Sequence, residues 1–299
     1  VSSRALVPFR AAPRPGLVRR LLPQPVRELV ERVEHRLARL PTRLNEYGYD
    51  PFGLDPRYAR ELLLSMALVY RFWLRVETRG IEKVPEGRVL LVANHAGNTF
   101  AWDGAMLGMA MLLEAEPPRL VRGMGEYYLP TIPFFSVLMH RMGSVVGTPE
   151  NCVQLLEHGE AVMVFPEGRH GFVKPFRRRY QLQPFGLGFL RLALETDTPI
   201  VPIGIVGGEE QSPAIADVRA LGRLVGAPAF PITPTFPWLG LGGFVPLPVK
   251  FRIHFGDPLR FEGDPNEEDA AIEARVETVK DEIRALVAQA RAARRSWFW

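Results

Sequence analysis

The sequence predicts an α/β protein, a mostly parallel sheet flanked by helices, with a pair of helices ahead of it. Three observations predict this. From Val76 onward, short apolar runs alternate with amphipathic helical segments, the succession that builds a parallel sheet with crossover helices. Two of those runs, 89-VLLVA-93 and 161-AVMVF-165, are continuously apolar, as strands covered on both faces must be. Before any strand signal, residues 25–40 carry apolar residues at helical spacing, and residues 57–76 follow an Asp55–Pro56 helix start.

The elements follow in order. Residues 1–24 are rich in proline and arginine and read as an arm. In 25-PVRELVERVEHRLARL-40 the stripe Val26, Leu29, Val30, Val33, Leu37 and Leu40 predicts an amphipathic helix. The stretch 45-NEYGYDPFGLDP-56 is turn-rich, and a second helix starts with Asp55 as N-cap and Pro56 in the first helical position. From Leu62 to Leu74 that helix carries one charge, Arg71. It is too short to cross a bilayer and too apolar for an ordinary surface helix. Burial in the core and residence in a membrane interface both satisfy it.

Strands are expected at 89–93, 119–123, 143–147, 161–165, 200–206 and 249–255. The last alternates strictly, Val249, Phe251, Ile253 and Phe255 against Lys250, Arg252 and His254, so it reads as an edge or half-exposed strand. Helices are expected at 104–115, 131–143, 148–159 and 185–197. The third has Thr148 as N-cap, Pro149 in first position and Gly159 as terminator. A long C-terminal helix opened by 264-DPNE-267 carries Ile272, Val276, Val279, Ile283, Leu286 and Val287 on one stripe. The tail 291-RAARRSWFW-299 is basic and aromatic. It suits an anionic membrane interface, or it frays.

Composition narrows the function. The chain has 299 residues, 47% of them hydrophobic, enough for one large core and too apolar for a disordered chain. The net charge of +4 is too small, without a recognised module, to indicate nucleic-acid binding. Four lysines stand against 33 arginines, the side chain that grips phosphate and carboxylate bidentately. The single cysteine, Cys152, excludes an intrachain disulfide and reads as a small core residue. No signal-peptide segment opens the sequence. The longest uncharged stretch, 224–249, is broken by six prolines, each costing a helix about 3 kcal/mol, so it cannot be a spanning helix.

Two clusters carry chemistry. In 94-NHAGNTFAWDGAM-106, His95 lies just past the end of an apolar strand, where ligands of α/β sheets collect. Gly97 lets the chain turn back so that Asp103, entering the next helix, can meet one imidazole nitrogen. The other nitrogen is then free to take a proton. Local roles, a helix cap and a loop hydrogen bond, fit the same two residues. The second cluster, 164-VFPEGRHGFVKPFRRRY-180, places Glu167, Gly168, Arg169, His170 and Lys174 at the end of another apolar strand. Such basic density suits a polyanionic head group, or it is a solvated loop.

Together, a strand ending in Asn94–His95, a downstream aspartate, and F-P-E-G at 165–168 resemble the glycerolipid acyltransferase family. That family includes the lysophosphatidic acid acyltransferases and monoacylglycerol- and diacylglycerol-acyltransferase-like proteins. The resemblance runs from about Gly80 to Leu259, through 143-GSVVGTPEN-151 and 199-PIVPIGIVG-207. Three departures mark a divergent branch. Seven residues separate histidine and aspartate where four are usual. Arg169 comes one place early, with His170 in the usual arginine position. The second block lacks its arginine, for which Arg122 and Arg141 are the nearest substitutes.

The resemblance implies an acyltransferase domain over 77–299, closed by the long helix and preceded by the arm at 1–24 and a helical segment over 25–76. It implies transfer of a fatty acyl group from acyl-CoA or acyl-carrier protein to a lipid hydroxyl, with no metal and no further cofactor. His95 is the expected base and Asp103 its orienter. Glu167 and Gly168 would position the acceptor. Arg169, Lys174 and Arg122 would lie near its head group or the CoA phosphates, and the Ala96–Asn98 turn, with Gly97, would supply oxyanion donors. The expected setting is peripheral, on the cytoplasmic side of a membrane, with the 224–249 segment either walling an acyl tunnel or packed over the core. The alternatives are a degenerate lipid-binding protein and a hydrolase that activates water. A covalent hydrolase is excluded by the lack of a G-x-S-x-G elbow.

Overall fold

A computed structural model describes residues 7–8, 21–42, 50–127, 129, 135–224 and 229–298. Most of the arm at 1–24, the first five residues of the turn-rich stretch at 45–56 and the start of the helix expected at 131 lie outside them. Seven strands form the main sheet: β3 (Glu77–Arg79), β4 (Val89–Ala93), β5 (Val121–Gly125), β6 (Val145–Val146), β7 (Ala161–Val164), β8 (Ile200–Val206) and β11 (Arg252–Phe255). Their order is β3-β11-β8-β4-β7-β5-β6. β4 to β8 run parallel to one another, and β11, with β3 alongside, runs against β8. Two short antiparallel pairs stand apart, β1 (Val7–Pro8) with β2 (Pro41–Thr42) and β9 (Ala216–Asp217) with β10 (Pro231–Ile232).

The continuous apolar runs become the centre. Every residue of β4 and β8 is buried. β5 begins two residues later than its apolar run suggested. Val121 pairs with Ala161, the first residue of β7, so no ladder partner exists before it. β11 corrects the expectation of an edge or half-exposed strand. It lies second from the edge with all four residues buried, because β3 adds outside it. Its polar face is covered as well. His254 pairs with Gly204, and Gly204 lets the C-terminal helix come close: a Cβ there would stand 2.7 Å from Leu286 Cβ.

Helices cover both faces of the sheet. On one face lie α1 (Gln24–Ala38), α2 (Pro56–Leu68) and α3 (Trp102–Leu113), which share one core with Leu91, Ile203 and Ile253. Asp55 caps α2 by accepting the N–H groups of Arg57 and Tyr58, as its sequence predicts. The apolar stretch that continues α2 through a π-turn at Val69–Trp73 is divided between the core and the protein surface. Leu63, Leu64, Ala67, Tyr70 and Leu74 are buried, while Leu68, Phe72 and Trp73 face outward. Each buried leucine contributes about 1.5–3 kcal/mol.

The short helices are α4 (Phe135–Arg141), α6 (Gly168–Phe172) and α8 (Arg219–Leu224); on the other face, α5 (Pro149–Glu157), α7 (Gly188–Glu195) and α9 (Asp269–Ala292) pack over Leu90, Val92, Val162 and Ile200. Thr148 caps α5 by accepting the Asn151 N–H, and Cys152 is buried in this core, its thiol pushed up to about 11 by burial. The predicted stripe of α9 is buried, but the helix begins at Asp269. Residues 264–267 close a turn of their own, in which Asp264 N–H donates to Glu267 Oε1 and Glu267 N–H donates to the Asp264 carbonyl. The tail beyond α9 is anchored and does not fray. Arg294 pairs with buried Glu210 at 2.7 Å, Trp297 packs edge-on against Phe176, and Lys250 N–H donates to the Trp297 carbonyl. Among the described residues, no helix is long and apolar enough to cross a membrane.

Candidate active site

The site is built at the carboxyl end of β4. Asn94 fixes that end by clasping β8: its Oδ1 accepts the Ile205 N–H at 2.7 Å and its Nδ2 donates to the Ile205 carbonyl at 3.0 Å. The loop that leaves it is held at nearly every residue. His95 N–H donates to Glu167 Oε1 (2.9 Å), Ala96 N–H to Asp103 Oδ2 (2.7 Å) and Asn98 N–H to the Phe172 carbonyl (2.8 Å). Gln211 Nε2 donates to the Gly97 carbonyl. Asn98, at φ +57°, sits in the left-handed region, and its amide group bridges Lys174 N–H to the Ser212 carbonyl. Gly97 is required by crowding. A Cβ there would lie 2.2 Å from the Phe172 ring and 2.8 Å from the Phe100 carbonyl.

This frame brings His95 and Asp103 together. Nδ1 lies 2.7 Å from Asp103 Oδ2, despite the seven intervening residues. The loop absorbs the extra length because Asp103, in the first turn of α3, also accepts the Ala96 N–H and so draws the chain back on itself. Its other oxygen accepts the Gly104 N–H. Burial alone would raise this carboxyl. The charge and hydrogen bond of His95, with the two backbone donors, outweigh it and hold Asp103 below the usual carboxylate range. The imidazole stacks on Phe165 at 4.2 Å and tilts against Phe172 at 5.0 Å. Nε2 has no hydrogen-bond partner among the described residues.

His95 lies on a cavity of about 790 Å³. Its walls are mostly apolar: Met124, Met163 and Phe165 on the sheet side, Met139 from the helix Phe135–Arg141, and Phe230, Phe236 and Phe244 from the 224–249 segment. The three phenyl rings pack in series, 5.1 and 5.2 Å apart. That segment, short of backbone N–H donors, is tied down by side chains. Trp102 and Trp73 donate their indole N–H groups to the Phe244 and Pro246 carbonyls, and Arg75 donates to Pro248. On its outer side a second apolar groove, about 620 Å³, is lined by Leu68, Phe72, Trp73 and Val245. Phe100 and Phe244 line both spaces and stand between them.

Of the other residues singled out by sequence, Gly168 (φ +51°) and Arg169 line the cavity. Three do not. Glu167 is fully buried, with Oε1 accepting from His95 and Oε2 from the Gln183 N–H at 2.7 Å, so neither oxygen is offered to a ligand. Lys174 is also buried, its Nζ 3.6 Å from Glu167 Oε2 and 3.6 Å from Glu209 Oε1. Arg122 is 4% exposed and reaches the opposite end of the sheet, 2.9 Å from Asp50 and 3.1 Å from Glu160. Contact with a head group or with CoA phosphates is therefore corrected for Lys174 and Arg122, and acceptor positioning for Glu167. Each is enclosed by partners of opposite charge or by backbone donors.

Sequence reasoning missed the segment 207-GGEEQS-212, which follows β8 and forms the floor of the site. Glu209, Glu210, Gln211 and Ser212 are all buried there. Burial raises the Glu209 carboxyl. Lys174 opposes this, while Glu167 and Asp103 add to it. The signal was a run of four polar residues, set two glycines after a fully apolar strand, at the end of the sheet where sites form.

Residues 75–206 match the Acyltransferase family model. An uncharacterised protein of Mycobacterium leprae is 41% identical over 239 residues, covering 79% of this chain and 65% of that protein. A mouse protein described as a DGAT1/2-independent enzyme synthesizing storage lipids is 25% identical over 215 residues, covering 72% of this chain and 60% of that protein. The chain thus spans less than two thirds of the length of these relatives. Among solved structures, the 1-acyl-sn-glycerophosphate acyltransferase of Thermotoga maritima superposes with a TM-score of 0.52 at 19% identity, over 80% of this chain and 81% of that one, a likeness of fold.

Proposed function

We propose, from the match of residues 75–206 to the Acyltransferase family model, that the chain is a glycerolipid acyltransferase that transfers a fatty acyl group from a thioester, acyl-CoA or acyl-carrier protein, to the hydroxyl of a lipid. The observation that carries this reading is the 2.7 Å contact of His95 Nδ1 with buried Asp103, beside an apolar cavity large enough for a lipid tail.

In this mechanism Asp103 holds the proton on Nδ1, which fixes the tautomer and leaves Nε2 as the base. Nε2 takes the acceptor's hydroxyl proton as the oxygen attacks the thioester carbonyl. The tetrahedral intermediate collapses with loss of the thiolate, which recovers that proton from the imidazolium. No covalent enzyme intermediate is needed, since the thioester is already activated. Within the 96–98 turn, the Ala96 and Asn98 N–H groups are engaged by Asp103 and Phe172, so Gly97 N–H is the donor left for the oxyanion.

The outer groove and its exposed neighbours form the surface by which the protein rests on a bilayer, and Phe100 and Phe244 form the partition a lipid passes to reach His95. The test uses labelled long-chain acyl-CoA with lysolipids, glycerides and long-chain alcohols. His95→Ala and Asp103→Asn should each lower turnover by about 10²–10⁴-fold while circular dichroism stays unchanged. Wild-type turnover in the His95 variant would remove the base from the mechanism.

A further inference from the structure

We infer that the acceptor is an uncharged lipid alcohol, a glyceride or a long-chain alcohol, and not a lysolipid whose head carries a phosphate. The inference rests on the acyl-transfer reading above and narrows it.

The argument is a count of charge at the cavity. Among the described residues that line it, Arg169 is the one guanidinium or ammonium group. Glu126 lines it too, on the same side: its Oε1 would lie 3.2 Å from a Cβ placed on Gly168, the neighbour of Arg169. The two charges cancel. The cations that a phosphate would need are committed elsewhere. Arg122 is enclosed by Asp50 and Glu160, and Lys174 by Glu167 and Glu209. Arg141 does not line the cavity; its guanidinium is stacked over the ring of Tyr58, a lining residue, at 5.1 Å.

A phosphate monoester brings about −1.5 to −2 charges at neutral pH. Taking it from water into a mostly apolar cavity of no net charge leaves that charge without the paired guanidinium donors that hold phosphates well. A hydroxyl head asks only for hydrogen bonds, and the Thr99 and Ser144 side chains on the lining can supply them. An acyl-CoA donor does not alter this balance, because its phosphates lie many bonds away from the thioester carbon.

The test uses two acceptors that differ only in the phosphate, a monoacylglycerol and the lysophosphatidate of the same chain, in neutral detergent micelles with long-chain acyl-CoA. The expected result is a kcat/KM at least tenfold higher for the monoacylglycerol. Equal rates, or preference for lysophosphatidate, overturn the inference. Equilibrium binding of both lipids to the His95→Ala protein separates it from the chemistry. Tighter binding of the monoacylglycerol by tenfold or more, with no transfer by the wild type, removes the acyl-transfer reading and leaves the head-group inference standing. Equal or tighter binding of lysophosphatidate, or binding of neither lipid, overturns it. Glu126→Gln supplies the opposite check, since removing the cancelling carboxylate should raise use of lysophosphatidate several-fold.

Discussion

Glu167 Oε1 accepts the backbone N–H of His95 at 2.9 Å, so the carboxylate of the F-P-E-G motif braces the histidine. Its second oxygen takes the Gln183 N–H and faces Lys174. The motif thereby couples the end of β7 to the loop after β4, and the ring that faces the cavity is positioned from below by a buried ion pair.

Glu167→Gln tests that brace. The amide has one accepting oxygen in place of two, so either His95 or Gln183 loses its acceptor, and Lys174 loses its charged partner on this side. Breaking one side of a buried pair typically costs about 3–5 kcal/mol. Urea unfolding should show a loss of this size, and the folded fraction should show a lower kcat. A variant of unchanged stability would mean that Glu167 does not carry the charge that balances Lys174.

Glu209→Gln should behave in the opposite way. Burial raises the Glu209 carboxyl above the ordinary glutamate value, so the folded state favours its protonated form. A raised carboxyl contributes stability that is complete below the unfolded value of about 4.3 and is lost as pH rises through the folded value. Glutamine imitates the protonated side chain and does not titrate. The variant should therefore match the wild type at low pH and gain on it as pH rises above about 4.3. Thermal melts of both proteins across that range check the sign, and a wild type that gains on the variant with rising pH would reverse it.

Much of this was legible in the sequence. The strands β4 and β8, the caps Asp55 and Thr148 and the α9 stripe follow from local pattern, because periodicity and capping are properties of neighbouring residues, while the His95–Asp103 contact, left open by spacing, was expected through the family resemblance. What stayed illegible depended on distant partners. Nothing within 249–255 announces that β3 will cover its edge. Nothing beside Arg122 or Lys174 reveals Asp50, 72 residues away, or Glu209. A basic side chain near a motif reads as a ligand-binding group until the fold shows which carboxylate it meets.

Arg122→Met follows from that correction. Losing Arg122 leaves Asp50 and Glu160 without a shared cation in a buried site, and the cost should again be about 3–5 kcal/mol. The KM for the lipid acceptor, measured on folded protein, should stay within about twofold of wild type, less than 0.5 kcal/mol. A rise in KM of tenfold or more, with stability kept, would restore Arg122 to the substrate.

The outer groove makes a prediction about lipid surfaces. Phe72 and Trp73, on the π-turn that lines the groove, are 43% exposed, and Trp238 and Leu241, in the 224–249 segment that also gives the groove Phe244 and Val245, are 71% and 87% exposed. Each apolar side chain that enters a bilayer contributes up to about 1.5–3 kcal/mol, so a few suffice for reversible binding. Arg71, exposed beside Phe72, adds attraction to anionic lipid that salt screens. The protein should co-sediment with anionic vesicles more than with zwitterionic ones at low salt. At high salt the difference should shrink, while a salt-resistant apolar part remains. Replacing Trp238 and Leu241 together with serine should lower that salt-resistant part at least tenfold and leave activity on a micellar acceptor near wild type, because neither side chain lines the cavity beside His95. Undiminished vesicle binding by this double variant would move the docking surface elsewhere on the molecule.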